Sequence, residues 1–294
     1  ENFMLFHSSY TALLTPFKDN KVDYSSYKEL IDFQINNGTH GLVPVGTTGE
    51  SPTLSHDEHK KLIEVCIEQS NGRVPVIAGA GSNSTSEAVD FVKHACSAGA
   101  DGLLVVTPYY NKPTQSGLLA HYNELIKHTS KPIIIYDIPG RSVIQMTDET
   151  MAKLAQDQFI VGVKDATADL TRPTRLQNVI SDDFIQLSGE DGTALAYLAA
   201  GGHGCISVTA NIAPNLLSRM HNAWKQGDIN TAQEINKKLM PLHDALFCET
   251  SPGPLKYAAS LLGICSSDAR LPIVEIEEDS KLKVKNALKQ TGMI

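Results

Sequence analysis

The stretch PIIIYDIPGRSVIQMTDETMAKLAQDQFIVGVKDA, residues 132–166, decides the fold. It opens on a short apolar run, PIIIYDIP (132–139), passes through a helical pattern, and returns to a second apolar run, IVGVKDA (160–166). Continuous apolar runs of this length read as strands buried on both faces, the habit of parallel sheets. Strand, helix and parallel strand make one right-handed crossover unit. Outward from this unit the same rhythm repeats. TALLTPF (11–17), GLVPVG (41–46), VPVIAGAG (74–81) and GLLVVTP (102–108) precede it, and FIQLSGE (184–190) and GCISVT (204–209) follow. That makes eight candidate strands with helical patterns between them. Eight is the number that closes into a (β/α)8 TIM barrel of about 250 residues. An open doubly wound sheet is the alternative.

Local signals support the helices. Ser55 followed by Glu58, and Ser84 followed by Glu87, have the spacing of capping boxes, while Gly38 and Gly99 are placed as helix stops. After about residue 227 the strand signals cease, and DINTAQEINKKLMPLHDALF, GPLKYAASLLG and SKLKVKNALKQ read as three helices. The expected organisation is a catalytic barrel over residues 1–227 and a C-terminal helical appendage over 228–294.

Composition narrows the function. The 294 residues carry 25 basic and 33 acidic side chains, a net charge of -8, with no basic block for a phosphate backbone, so nucleic acid is not an expected partner. The five cysteines are widely spaced and form no CxxC pair, which argues against a disulfide framework or zinc site and for a reducing, cytoplasmic setting. No apolar run reaches the roughly 18 residues of a membrane span. The first ten residues lack the parts of a signal peptide, and those ahead of Met4 read as an addition to the native start.

In a barrel, substrates bind among the loops at the C-terminal ends of the strands, so polar residues there carry the most weight. Lys164 lies in such a place, inside an apolar strand run. Alternation puts Gly162, Lys164 and Ala166 on one face and Ile134, Tyr136 and Ile138 on one face of the preceding strand. With neighbouring strands about 4.8 Å apart, Lys164 and Tyr136 can meet over the barrel mouth. An ammonium is no nucleophile. Apolar surroundings disfavour a lysine's charged form, and a neutral amine can attack a ketone to form a Schiff base. The plainer alternative is a lysine that snorkels to solvent or pairs with Asp137 or Glu190.

GTTGE (46–50), YDIPGR (136–141), GVKDAT (162–167) and GHGCISVTAN (202–211), in this order and at strand ends, resemble the pyruvate-dependent class I aldolase and lyase superfamily, and within it the dihydrodipicolinate synthase family. The resemblance covers nearly the whole chain. It implies that Lys164 forms an imine with pyruvate, that no other cofactor or metal takes part, and that the derived enamine attacks L-aspartate 4-semialdehyde in the lysine biosynthetic pathway. It assigns Tyr136 as central proton carrier, linked through Thr47 to Tyr110, which in this family crosses from a neighbouring subunit of a homotetramer built as a dimer of dimers. Thr47 and Thr48, flanked by Gly46 and Gly49, offer backbone N–H groups for the pyruvate carboxylate. Arg141 is assigned to the carboxylate of the semialdehyde, and Gly189 and Ile206 to backbone contacts lining the pocket. Cys205 has no assigned role. Asp137 stands where many relatives have asparagine, and ETSPGPLKYA (249–258) departs from their NPIP; neither removes a catalytic group.

Ser51, Leu54, His56, His59, Gly81, Asn83, Glu87 and Tyr109 match the set that binds L-lysine in feedback-inhibited members. Glu87 and Asn83 can accept from the ligand's ammonium groups, and Tyr109 can donate to its carboxylate. Alternatively, Glu87 closes the capping box with Ser84 and the histidines lie on a solvated helix face. Three rival functions stand beside this reading. A sialate lyase or sugar-acid aldolase would use the same lysine and tyrosine on another aldehyde; Arg141 and the paired Thr47 and Thr48 with Tyr110 argue against the first and less strongly against the second. A metal-dependent aldolase would have only Glu190, Asp191 and His203 to work with. A regulatory binding protein would not need both Lys164 and Tyr136.

Overall fold

The computed structural model describes residues 6–294. The expectation about residues ahead of Met4 lies outside them. Eight parallel strands are formed: β1 (Ser8–Ala12), β2 (Gly41–Val43), β3 (Ile77–Gly79), β4 (Gly102–Val106), β5 (Ile133–Asp137), β6 (Ile160–Asp165), β7 (Ile185–Ser188) and β8 (Gly204–Ser207). They belong to one sheet, and at least one helix follows each strand. This is the (β/α)8 TIM-barrel architecture. No helix among the described residues is long and apolar enough to cross a membrane.

The chain forms two compact units. Among the described residues, the first comprises Phe6, His7 and Pro75–Ile206. Its strands pair in parallel from β3 to β4, β5, β6, β7 and β8. The Ile-rich and Val-rich runs bury both faces: Leu103, Val105, Ile133, Ile134, Ile135 and Val163 are all fully buried. Helix Thr85–Ala98 ends on Gly99, whose φ of 92° is the left-handed conformation a glycine tolerates. At its start Ser84 makes no side-chain cap. The expected capping box with Glu87 is absent, because the Glu87 carboxylate instead accepts from the Ser82 hydroxyl, which itself accepts from the Ser84 N–H.

The second unit comprises Ser8–Val74 and Ser207–Ile294. Here β1 pairs with β2, Tyr10 opposite Gly41. The expected first strand, residues 11–17, begins too late: β1 starts at Ser8, and Ser8 and Ser9 are buried small polar residues without an apolar signal. Its far end instead enters a short hairpin, Phe17–Lys18 with Lys21–Val22, turned by Asp19 and Asn20 at φ 51° and 61°. Helix His56–Ser70 starts on the expected capping box, with Ser55 and Glu58 each satisfying the other's backbone N–H. The three C-terminal helices are Ile229–Ala245, Gly253–Leu261 and Glu278–Gln290.

Candidate active site

The register of the first unit places the candidate groups. Tyr136 on β5 stands directly opposite Lys164 on β6, and Asp137 opposite Asp165. Because side chains alternate, the first pair projects to one face of the sheet and the second to the other. Lys164 and Tyr136 are each only 6% exposed, and the Lys164 Nζ lies 4.1 Å from the centroid of the Tyr136 ring. An amine and a phenol ring thus lie side by side, both buried. Among the described residues no ion pair joins Lys164 to Asp137 or Glu190. Asp137 is held at 2.7 Å by the buried Arg172.

Room beside the lysine comes from Gly189, whose N–H donates to the Asp165 carbonyl at 2.7 Å. A Cβ there would sit 2.9 Å from the Ala166 Cβ and 3.3 Å from the Lys164 Cε. Ile206 is buried on β8. Cys205, beside it, is fully buried, and burial pushes its thiol well above the ordinary range, which disfavours the thiolate that a nucleophile requires. Arg141 is exposed in the short helix Pro139–Ser142 that follows β5. Tyr110 follows β4 with a left-handed φ of 74° and is 86% exposed, the most exposed of the large hydrophobic side chains described.

Of the eight residues assigned to a lysine site, Gly81, Asn83, Glu87 and Tyr109 lie in this first unit. The Asn83 amide donates to the Tyr109 carbonyl at 3.0 Å and the Asn111 amide to the Asn83 carbonyl at 2.8 Å, so the loops after β3 and β4 are stitched together. Gly81 is required there, since a Cβ would come within 2.6 Å of the Val106 nitrogen.

The second unit carries GTTGE as a tight turn after β2. The N–H groups of Gly49 and Ser51 donate to the Gly46 carbonyl and that of Glu50 to the Thr47 carbonyl. Those of Thr47 and Thr48 donate to no backbone carbonyl among the described residues. Thr48 is buried and Thr47 half-buried. Ser51 lies in the following short 3-10 turn, Leu54 and His59 are buried, and His56 is exposed at the helix start.

Sequence reasoning missed the charges that hold these loops. Glu50, 4% exposed, forms an ion pair with the fully buried Lys256 and accepts from the Arg270 N–H at 3.0 Å. The Arg270 guanidinium grips Glu58 through two 2.7 Å bonds, while Lys256 and Arg270 lie 4.2 and 4.4 Å from the Phe17 ring centroid. In the first unit Arg172 is the counterpart. Two consecutive strands each end in an aspartate just after the candidate catalytic residue, and that repetition was the available signal for a buried cation. Among the described residues no group of three or more His, Cys, Asp or Glu side chains gathers as for a metal ion.

Comparison with known proteins places this geometry. A family model, the dihydrodipicolinate synthetase family, matches residues 5–291. A 4-hydroxy-tetrahydrodipicolinate synthase of Rhodospirillum centenum is 57% identical over 290 residues, covering 99% of this chain and 100% of that protein. The crystal structure of the dihydrodipicolinate synthase of Acinetobacter baumannii complexed with pyruvate superposes with a TM-score of 0.95 at 42% identity, over 98% of this chain and 99% of that one. The enzyme of Cyanidioschyzon merolae with lysine bound superposes with a TM-score of 0.96 at 37% identity, over 99% of both chains.

Proposed function

The chain belongs to the dihydrodipicolinate synthetase family, and we propose that it is a lyase that condenses pyruvate with L-aspartate 4-semialdehyde to 4-hydroxy-tetrahydrodipicolinate. The observation that carries this reading is Lys164 lying 4.1 Å from the Tyr136 ring in a buried recess, in a chain 57% identical to a named synthase. The Lys164 amine adds to the pyruvate ketone, and loss of water leaves an imine. Loss of a methyl proton then turns the imine into an enamine, whose carbon attacks the aldehyde. Cyclisation through the semialdehyde amine releases the lysine. The imine is the electron sink, so the reaction takes no further cofactor.

Tyr136 carries protons to and from the carbinolamine, and the resemblance adds Thr47 and Tyr110 to that relay. Thr47 and Thr48 suit the pyruvate carboxylate, because their N–H groups are not spent on the turn's own hydrogen bonds. Arg141 receives the carboxylate of the semialdehyde, with the planar fork that suits it. Gly189 and Ile206 line the pocket. The exposure of Tyr110 supports its completing a neighbouring subunit's site in a homotetramer. L-lysine inhibits through Ser51, Leu54, His56, His59, Gly81, Asn83, Glu87 and Tyr109, and the enzyme works in the cytoplasm on small molecules. The test is an assay of purified protein with pyruvate and a panel of aldehydes. L-aspartate 4-semialdehyde is the preferred partner, and preference for a sugar-derived aldehyde would overturn the assignment.

A further inference from the structure

Behind the Lys164–Tyr136 pair, on the opposite face of the same strands, Asp137 and Asp165 stand across from each other at positions next in sequence to the candidate catalytic residues. They are 0% and 4% exposed. Two carboxylates on adjacent strands, out of water, repel each other and are costly to keep charged. One side chain offsets both. Arg172, fully buried at the start of helix Arg172–Gln177, donates through Nη1 to Asp137 at 2.7 Å and places the same nitrogen 4.0 Å from Asp165. Its Nη2 donates to the Met146 carbonyl at 2.7 Å and its Nε to Asp148 at 3.1 Å. Asp165 also accepts from the Thr167 N–H and hydroxyl, at 2.9 and 2.7 Å, and from the Tyr197 hydroxyl at 3.5 Å.

We propose that Arg172 is a positioning residue: by bridging the carboxylates that follow Tyr136 and Lys164, it fixes the spacing of the β5 and β6 ends and so holds the amine and the phenol together on the other face. The inference rests on the imine reading of Lys164. A lysine lacks the planar fork that reaches Asp137 and the Met146 carbonyl at once. Arg172 touches neither substrate nor reacting atom, so its loss moves kcat and leaves the KM for pyruvate, whose carboxylate is held elsewhere.

The test compares Arg172→Met, Arg172→Lys and the double variant Arg172→Met with Asp137→Asn, each confirmed folded by circular dichroism and assayed well below its melting temperature. Arg172→Met lowers kcat about 10–100-fold, the range reached by small misplacements of reacting groups, with pyruvate KM within about twofold. Adding Asp137→Asn removes one of the opposed charges and recovers at least about tenfold of the loss. An unchanged kcat in folded Arg172→Met overturns the proposal, as does a double variant that is folded but no better than the single. Should Arg172→Met fail to fold, Arg172→Lys and the double variant decide: lowered kcat at constant KM in the first and a better kcat in the second support it, and wild-type kcat in the first overturns it. If wild-type protein traps no pyruvate on Lys164 under borohydride, the functional reading fails first and takes this proposal with it.

Discussion

A single methyl group at Gly189 tests how closely the lysine is fitted. The Cβ of Gly189→Ala would lie 2.9 Å from the Ala166 methyl and 3.3 Å from the Lys164 Cε. Both are inside the roughly 3.5–4.0 Å at which carbon atoms attract. The backbone cannot simply retreat, because the Gly189 N–H is bonded to the Asp165 carbonyl at 2.7 Å. The lysine chain is the softer neighbour, so the displacement falls on Cε, one bond from the reacting nitrogen. Overpacking of this kind costs about 1–3 kcal/mol, which on the barrier is roughly 5–150-fold in rate. The assay is the single-turnover rate of borohydride-trapped pyruvate adduct, with the melting temperature measured beside it. Gly192→Ala is the control, as a Cβ there meets nothing within 4 Å. A Gly189→Ala protein that forms the adduct at the wild-type rate would refute the claim that this glycine makes room for Lys164.

Other consequences are separable. Lys256→Met removes the partner of the buried Glu50 carboxylate, and chemical denaturation should show a loss of about 3–5 kcal/mol; under 1 kcal/mol would mean the pair is not structural. His121, 5% exposed, has its pKa lowered to about 4 by burial, so it is neutral in the fold. A base depressed in this way leaves stability unchanged above its ordinary value of about 6.5 and loses at most about 3 kcal/mol as pH falls from there toward 4. His121→Gln, which cannot charge, should flatten that part of the urea-denaturation profile, and a mutant that falls as steeply as wild type removes His121 as the cause. Glu87→Ala should abolish inhibition by millimolar L-lysine while keeping most turnover, with initial rates as the readout. Inhibition undiminished in the variant would place the effector elsewhere.

The strand ends were the most legible part of the chain. Short runs rich in β-branched residues, such as Ile133–Asp137 and Ile160–Asp165, read as buried strands and fold as strands, and period-two alternation then sets Tyr136 beside Lys164. The start of β1 was hidden because Ser8 and Ser9 are small and polar yet buried, and burial of that kind leaves no periodic signal. The Ser84–Glu87 spacing misled for a different reason: Ser82, two residues upstream, competes for the same carboxylate. Buried ions were the least legible. Arg172 sits in an ordinary polar stretch and Lys256 in a mostly apolar one, GPLKYAASL, with no acidic partner within it, and only the folded chain brings Arg172 to Asp137, 35 residues away, and Lys256 to Glu50.

The central claim is that one particular lysine carries the substrate covalently. Incubating the protein with pyruvate and borohydride, then locating the reduced adduct by peptide mass, tests it most directly. The account predicts an adduct on Lys164 alone, absent when either pyruvate or borohydride is omitted and lost in Lys164→Ala. A folded Lys164→Ala protein that still trapped pyruvate at a single site, or wild-type protein labelled at another lysine, would contradict it.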